Sequence, residues 1–186
     1  MTIWRQFGFI LLFLGIPVAV HASEERVDGK RVYGWVEKAI IMPLGATVKM
    51  KLDSGALTSS IHAKDVEISK SDDGDWVSFR LVLEDTGSGE KLFRRIDKPV
   101  HRYAIIRGAA GEERRAVVKM DICIGDTVYN EQFTLNDRSD MLYPVLIGRR
   151  TLEHMGLLDV TRTFITRPEC DIPKAILNKV DTLTDK

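Results

Sequence analysis

Residues 48–56 of the 186-residue chain read VKMKLDSGA, and this stretch carries the main information on fold and chemistry. Val48, Met50 and Leu52 alternate with polar residues, which is the period-two pattern of a strand with one buried face. The alternation stops at Asp53, where small residues follow. The sequence therefore predicts a carboxylate at the end of a strand, on a tight loop.

The loop after Asp53 consists of Ser54, Gly55 and Ala56. Glycine lets the loop backbone approach its surroundings closely, and a serine hydroxyl can hydrogen-bond across the loop to orient the carboxylate, as an acid or base group requires. The triplet Asp-Ser-Gly is also common in Asx turns that have no chemistry. Taken alone, the loop leaves both interpretations open.

Further strand-like runs follow one another along the chain, separated by turn residues. They lie at residues 32–41, 47–52, 76–83, 91–96, 103–107, 115–124 and 132–135. In the run 115–124, apolar residues alternate with Lys119, Asp121 and Cys123, which predicts one buried and one wet face. Short strands in this number predict an all-β barrel or sandwich, with one convincing helix at Arg149–Met155.

Composition and pattern divide the chain into four parts. These are a signal peptide at residues 1–22, a short linker at 23–30, one domain at 31–167 and a C-terminal tail at 168–186 with a possible short helix near Ile176. The hydrophobic fraction of 44% and the charged fraction of 29% are those of one globular domain.

The N-terminus has the pattern of a secretory leader. Arg5 precedes an apolar run of 14 residues, and small residues precede a cleavage site after Ala22. A spanning helix needs about 20 residues, so a retained anchor is the weaker alternative. We expect export to the periplasm and a mature protein without a stable membrane anchor.

The charges of the chain are balanced. Cleavage after Ala22 removes Arg5 and leaves 26 Lys and Arg against 27 Asp and Glu, so no basic excess points to nucleic acid as a partner. Cys123 and Cys170 form an even pair in an oxidising compartment, where a disulfide would attach the tail to the domain. Because the sequence does not show their Cα separation, a disulfide and two free thiols both stay open.

About 90 residues after the Asp53 loop, residues 143–149 read YPVLIGR and lead into the predicted helix. This pairing of motifs resembles the retropepsin family of aspartic proteases. In that family the loop carries the catalytic aspartate, here Asp53, and an apolar strand ending in glycine packs under it. The residues that correspond to this second motif are Leu146, Ile147, Gly148 and Arg149.

The family also has a glycine-rich flap hairpin that closes over a bound peptide. The resemblance places this flap at Gly108, Ala109, Ala110 and Gly111. Together with residues 59–63 and 137–138, the two motifs resemble more closely a bacterial retropepsin-like family often labelled ATP-dependent zinc proteases, over residues 30–165.

That label implies ATP and zinc, but the sequence has no Gly-rich loop ending in Gly-Lys-Ser/Thr and no His-Glu-x-x-His. His62, His101 and His154 are not spaced as paired ligands on one helix face. We therefore expect no metal and no other cofactor, with a zinc-dependent hydrolase as a minor alternative.

The sequence contains one Asp-Ser-Gly motif, whereas the aspartic mechanism uses two carboxylates that share a proton. The resemblance therefore implies a homodimer in which each chain contributes Asp53, cleaving the peptide bonds of an extended substrate. The segments near 32–36 and 157–165 are expected to pair across its two-fold axis. The main alternative is a binding module of the same fold that recognises a peptide or cell-envelope component without cleaving it.

Two smaller expectations concern the surroundings of the site. Leu57 replaces the aspartate with which many retroviral members pair the arginine after the downstream glycine. Arg149 is then left to pair with Asp137 or Asp140 or to remain solvated, and we favour a structural role for it. The apolar residues Ile61, Val145 and Ile147 are expected to shape the substrate pocket.

Overall fold

A computed structural model of the protein describes residues 25–108, 111–171 and 181–182. Strands account for 64% of it. In chain order the strands are β1 (Arg26–Val27), β2 (Lys30–Ile41), β3 (Ala46–Asp53), β4 (Ser59–Ser69), β5 (Trp76–Glu84), β6 (Lys91–Pro99), β7 (Arg102–Gly108), β8 (Gly111–Ile124), β9 (Thr127–Asn136), β10 (Val145–Gly148), β11 (Leu157–Thr163) and β12 (Asp181–Thr182), and α1 (Arg149–Met155) is the helix.

Six of these strands close a barrel in the order β10, β3, β2, β8, β9, β4 and back to β10. The four-residue strand β10 completes the ring, because it pairs in parallel with β3 and antiparallel with β4. Beyond Ala63, β4 leaves the ring and pairs with β5, which in turn pairs with β6. The predicted all-β barrel is confirmed.

The alternation seen in the sequence fills the barrel. Val48, Met50 and Leu52 of β3 are buried, while Lys51 and Asp53 lie on the other face of the strand. Each fully buried aliphatic side chain contributes about 1.5–3 kcal/mol relative to exposure. The prediction of a wet position for Cys123 is wrong, because this side chain is fully buried.

Cys123 is buried because it forms a disulfide with Cys170, at a Cα separation of 6.0 Å. Beside it, the Glu169 N–H donates to the Gly125 carbonyl at 2.7 Å. The start of the tail is therefore held against the β8–β9 turn. The leader, the two flap alanines Ala109 and Ala110 and the helix predicted near Ile176 lie outside the described residues.

The predicted strand runs do not include β4. Its first half buries Ser59, Ser60 and His62, which are polar and so do not produce an apolar alternation. This half of the strand is identified by its partners, since it pairs with β9 on one side and β10 on the other.

The two segments expected to pair across a dimer axis pair with each other inside one chain. β11 runs parallel to the start of β2, with Leu157 opposite Val32. The close approach depends on Gly34, where a Cβ would lie 2.6 Å from the Arg162 carbonyl oxygen. The buried Glu37 carboxylate also holds the end of this pairing, by accepting the Gly34 and Thr166 main-chain N–H groups.

The predicted helix and the observed helix coincide at Arg149–Met155. Within the described residues, no helix is long and apolar enough to cross a membrane.

Removing the disulfide should destabilise the domain without changing its fold. Cys123 and Cys170 are 47 residues apart, so the double variant Cys123→Ala/Cys170→Ala should lose about 2–4 kcal/mol of unfolding free energy. Urea unfolding followed by far-UV circular dichroism measures this loss. An unchanged midpoint would contradict the expectation, and wild type under reducing conditions serves as the matched sample.

Candidate active site

Asp53 is the last residue of β3, and its carboxylate is held at both oxygens. The Gly55 N–H donates to Oδ1 at 2.9 Å, and Lys51 Nζ lies 3.1 Å from Oδ2. Partial burial acts to raise the pKa of Asp53, but the hydrogen bonds from Lys51, Gly55 and Ala56 together with the lysine charge outweigh it, so the pKa lies below its usual value. At neutral pH the Asp53 carboxylate of a single chain is therefore ionised.

β10 runs beside the end of β3, with Gly148 opposite Asp53. The Arg149 main-chain N–H then donates to the Ala56 carbonyl at 2.8 Å, and the Arg150 N–H donates to the Leu57 carbonyl at 3.2 Å. The start of α1 thus supplies donors to the loop that carries the carboxylate.

The Arg149 side chain makes a structural contact, in line with the role favoured from the sequence. It pairs with neither Asp137 nor Asp140, and its guanidinium Nη1 donates to the Ser54 carbonyl oxygen at 2.8 Å. The Arg149 side chain therefore supports the Asp53 loop by binding a main-chain carbonyl of that loop. The contact described for Ser54 is this main-chain carbonyl rather than the hydroxyl bond that the sequence suggested.

Gly148 allows this arrangement because it touches the main chain of the neighbouring strand. A Cβ at this position would lie 2.6 Å from the Thr58 carbonyl carbon and 2.8 Å from the Ser59 nitrogen. The Gly148 N–H donates to Ser59 Oγ at 3.0 Å. Any larger residue here would separate β10 from the start of β4.

A chain of buried polar contacts continues from this point. Ser59 Oγ lies 3.0 Å from Thr151 Oγ1, which donates to Glu131 Oε2 at 2.9 Å. His154 Nε2 lies 2.5 Å from the other oxygen of Glu131. Because Thr151 donates to the carboxylate, it accepts from Ser59, so each hydroxyl both donates and accepts a hydrogen bond. These polar contacts link β4, α1 and β9 beneath the loop.

His62 and Arg138 form a second support. His62 is buried, and its Nδ1 accepts the Arg138 main-chain N–H at 2.8 Å. Burial holds the pKa of His62 below its usual value, despite the nearby Asp137. Asp137 itself caps its own turn by accepting from Ser139. Asp137 therefore caps a bend.

A cleft of about 800 Å³ lies beside the loop and beneath the β7–β8 hairpin. This hairpin is the predicted flap, and its last described pair is Gly108 opposite Gly111. The expectation that Ile61, Val145 and Ile147 shape the pocket is wrong, because all three are fully buried in the barrel core. The alternate residues Ser60 and Leu146 face the cleft instead.

The cleft is strongly basic, although the whole chain has a formal net charge of zero. No acidic residue is among those described as lining it, whereas five arginines are: Arg102, Arg107, Arg115, Arg138 and Arg150. Arg107 and Arg115 pair with glutamates of their own hairpin. In the part of the chain that the structure describes, the other three have no ion pair with a carboxylate.

Several positively charged arginine side chains lie close together in this cleft. Burial lowers the pKa of Arg102, and the neighbouring Arg150 adds to the effect. Burial likewise lowers the pKa of Arg138, helped by Arg115 and opposed by Asp53. Ser60 Oγ, also in the cleft, is buried and has no hydrogen-bond partner among the described residues. The sequence did not identify this arrangement, because the arginines come from four separate segments.

Across the described ranges, no group of three or more His, Cys, Asp or Glu side chains is arranged to hold a metal ion.

Comparison with known proteins agrees with the geometry around Asp53. The family described as RimB-like, the retropepsin-like aspartic endopeptidase RimB, matches residues 32–169. The chain belongs to this family. The match includes both the Asp53 loop and the closing strand β10.

Curated relatives carry a different name. Two proteins named probable alpha-L-glutamate ligase, from Shewanella pealeana and Shewanella halifaxensis, are each 31% identical to the chain, over 157 and 147 residues. The matches cover 83% and 78% of this chain but only 34% and 32% of the relatives. The chain thus spans about a third of the length of these relatives.

A solved structure has the same architecture. A protein of unknown function from Legionella pneumophila superimposes with a TM-score of 0.59 at 28% identity. The match covers 73% of this chain and 98% of that one.

The buried His62 should make stability depend on pH. Because its folded pKa is depressed, its contribution is present above the usual value of 6.5 and is lost as the pH falls below it. Wild type should lose more unfolding free energy between about pH 7.5 and 5.5 than His62→Gln does. Urea unfolding at both pH values checks this, with His101→Gln as the control that should behave like wild type. Equal pH dependence in all three proteins would contradict the expectation.

Proposed function

We propose that the protein is an aspartic endopeptidase whose active site forms in a homodimer, with one Asp53 from each chain. The observation that carries the proposal is the geometry of Asp53: it ends a strand, accepts the Gly55 N–H and sits over a glycine-terminated strand, beside a cleft covered by a hairpin. Membership of a retropepsin-like family supports the same chemistry.

The dimer follows from the carboxylate count. One chain supplies one such aspartate, and two carboxylates close together cannot both be ionised, so the pair shares a proton. One carboxylate then takes a proton from the attacking water while the other protonates the scissile carbonyl. The pKa values of this dyad belong to the pair and not to either residue.

We also propose that the substrate is acidic. Three cleft arginines without carboxylate partners, with Ser60 Oγ unsatisfied beside them, form a site that an anionic peptide would neutralise. Glutamate, the amino acid in the name of the Shewanella relatives, is acidic in the same way. The place of action is expected to be the periplasm, after removal of the leader.

The aspartic mechanism predicts complete dependence on Asp53. The mature protein should cleave an acidic peptide library between about pH 3 and 8, and Asp53→Asn should lower kcat by at least about 10³-fold with an unchanged melting temperature. Mass spectrometry of the products measures the cleavage. If wild type cleaves nothing while still binding the peptides, the protein is a binding module. Loss of activity with a chelator would instead favour the zinc hydrolase.

Subunit mixing provides the control for the shared site. When refolded mixtures of wild type and Asp53→Asn are assayed at constant total protein, activity should fall with the square of the wild-type fraction, since a mixed dimer has one carboxylate that can ionise. A linear decrease would mean that each chain works alone.

The basic cleft predicts a charge preference. Arg150→Gln should lower kcat/KM for an acidic peptide by about tenfold and leave a neutral analogue unchanged, because the Arg150 contact to the loop is made by its main-chain N–H. Arg95→Gln, which removes an arginine paired with Glu67 outside the cleft, is the matched control. An equal loss on both peptides would contradict the preference. Added salt should weaken the preference of wild type for the acidic peptide.

A further inference from the structure

Lys51 contacts the Asp53 carboxylate although it lies outside the Asp-Ser-Gly triplet. It lies two residues before Asp53 on β3, so both side chains project from the same face of the strand. Its ammonium is 3.1 Å from Asp53 Oδ2, while its side chain is 40% exposed. Main chain therefore holds one carboxylate oxygen, and a flexible side chain holds the other.

This contact conflicts with the proposed chemistry. In a carboxylate dyad the oxygens exchange protons with water and with the scissile carbonyl. An ammonium group donates hydrogen bonds and accepts none, so it cannot pass a proton through the lone pair that it occupies. While Lys51 holds Asp53 Oδ2, it occupies one lone pair of that oxygen and makes the oxygen less basic. Release of Lys51 would free this oxygen for proton transfer, and the ammonium charge would then need another partner.

The substrate can supply that partner. Alternate residues of a strand are about 6.6 Å apart, which is the length of two residues of an extended peptide, so Lys51 lies within reach of a substrate side chain next to the reacting carboxylates. Leu146, which lies opposite Lys51 on β10, lines the cleft. Lys51 is not among the residues described as lining the cleft, but its position opposite Leu146 places it at the edge of the cleft.

We propose that Lys51 exchanges its ion pair from Asp53 to an acidic side chain next to the scissile bond. The exchange selects acidic substrate and at the same time frees the carboxylate oxygen that the reaction uses. Lys51 is thus a specificity-determining residue that acts on catalysis through Asp53. This inference rests on the proposed endopeptidase function.

The energetics permit such an exchange. An exposed ion pair such as Lys51 with Asp53 is weak in water and is screened by salt. Beneath a closed flap the same charge would make a stronger, charge-assisted hydrogen bond to the substrate carboxylate. In a two-fold symmetric dimer, one Lys51 would lie on each side of the scissile bond, so acidic residues are expected at both positions.

The test compares two fluorogenic peptides that differ only at the cleaved bond, Glu–Glu against its uncharged isostere Gln–Gln. Wild type should prefer Glu–Glu. Lys51→Met should reduce the ratio of the two kcat/KM values about tenfold or more, by losing activity on Glu–Glu and not on Gln–Gln. Lys51→Arg should keep the preference, because it keeps the charge. Lys49→Met, on the same face of β3 but two residues further from Asp53, should keep the wild-type ratio.

Each outcome has one meaning. If Lys51→Met lowers both peptides equally, Lys51 only supports the structure and the inference is overturned, while the proposed function stands. The inference is equally overturned if Lys49→Met changes the ratio as much. If wild type cleaves neither peptide and behaves like Asp53→Asn, the proposed function itself fails, and the inference fails with it. Melting temperatures of all variants identify any that have unfolded.

Discussion

The contact between Gly148 and the main chain of Thr58 and Ser59 is the constraint on which the site depends. Because a Cβ would come within 2.6 Å of Thr58, only glycine lets β10 pass between β3 and β4 and close the barrel. The same register places Gly148 opposite Asp53 and directs the start of α1 towards the loop. The position of the carboxylate is thus a consequence of barrel closure, and the buried contacts from Ser59 to Glu131 maintain it.

Closure also separates the two faces of the strands by chemistry. Residues that point inwards form an apolar core, while Lys51, Asp53 and Leu146 lie on the outer face, where Leu146 lines the cleft. An ionised carboxylate in a single chain would be a poor acid, so the proposed mechanism needs a second copy to supply the shared proton. The Asp53 carboxylate of one chain would supply half of such a pair. Binding of substrate would have to break the ion pair between Asp53 and Lys51.

Although the chain has a formal net charge of zero, five of its arginines line one cleft. Arg102, Arg115, Arg138 and Arg150 come from β7, β8, the segment before β10 and α1, and they approach one another without an acidic residue among the residues lining the cleft. Like charges held together in this way repel, and an anionic ligand would relieve the repulsion. The overall charge of the protein conceals this local field, which is why composition did not indicate an acidic substrate.

The sequence by itself determined what depends on neighbours along the chain. Alternation predicted the barrel strands, glycines bounded the helix at Arg149–Met155, and the Asp53 loop with its downstream strand indicated the family. It failed where partners are distant: the polar strand β4, the buried Cys123, the carbonyl partner of Arg149 and the arginine cleft. These features depend on tertiary contacts. The closed ring brings the polar half of β4 and the arginine segments to their partners, and the tail brings Cys170 to Cys123, whereas local periodicity and turn chemistry do not relate these groups.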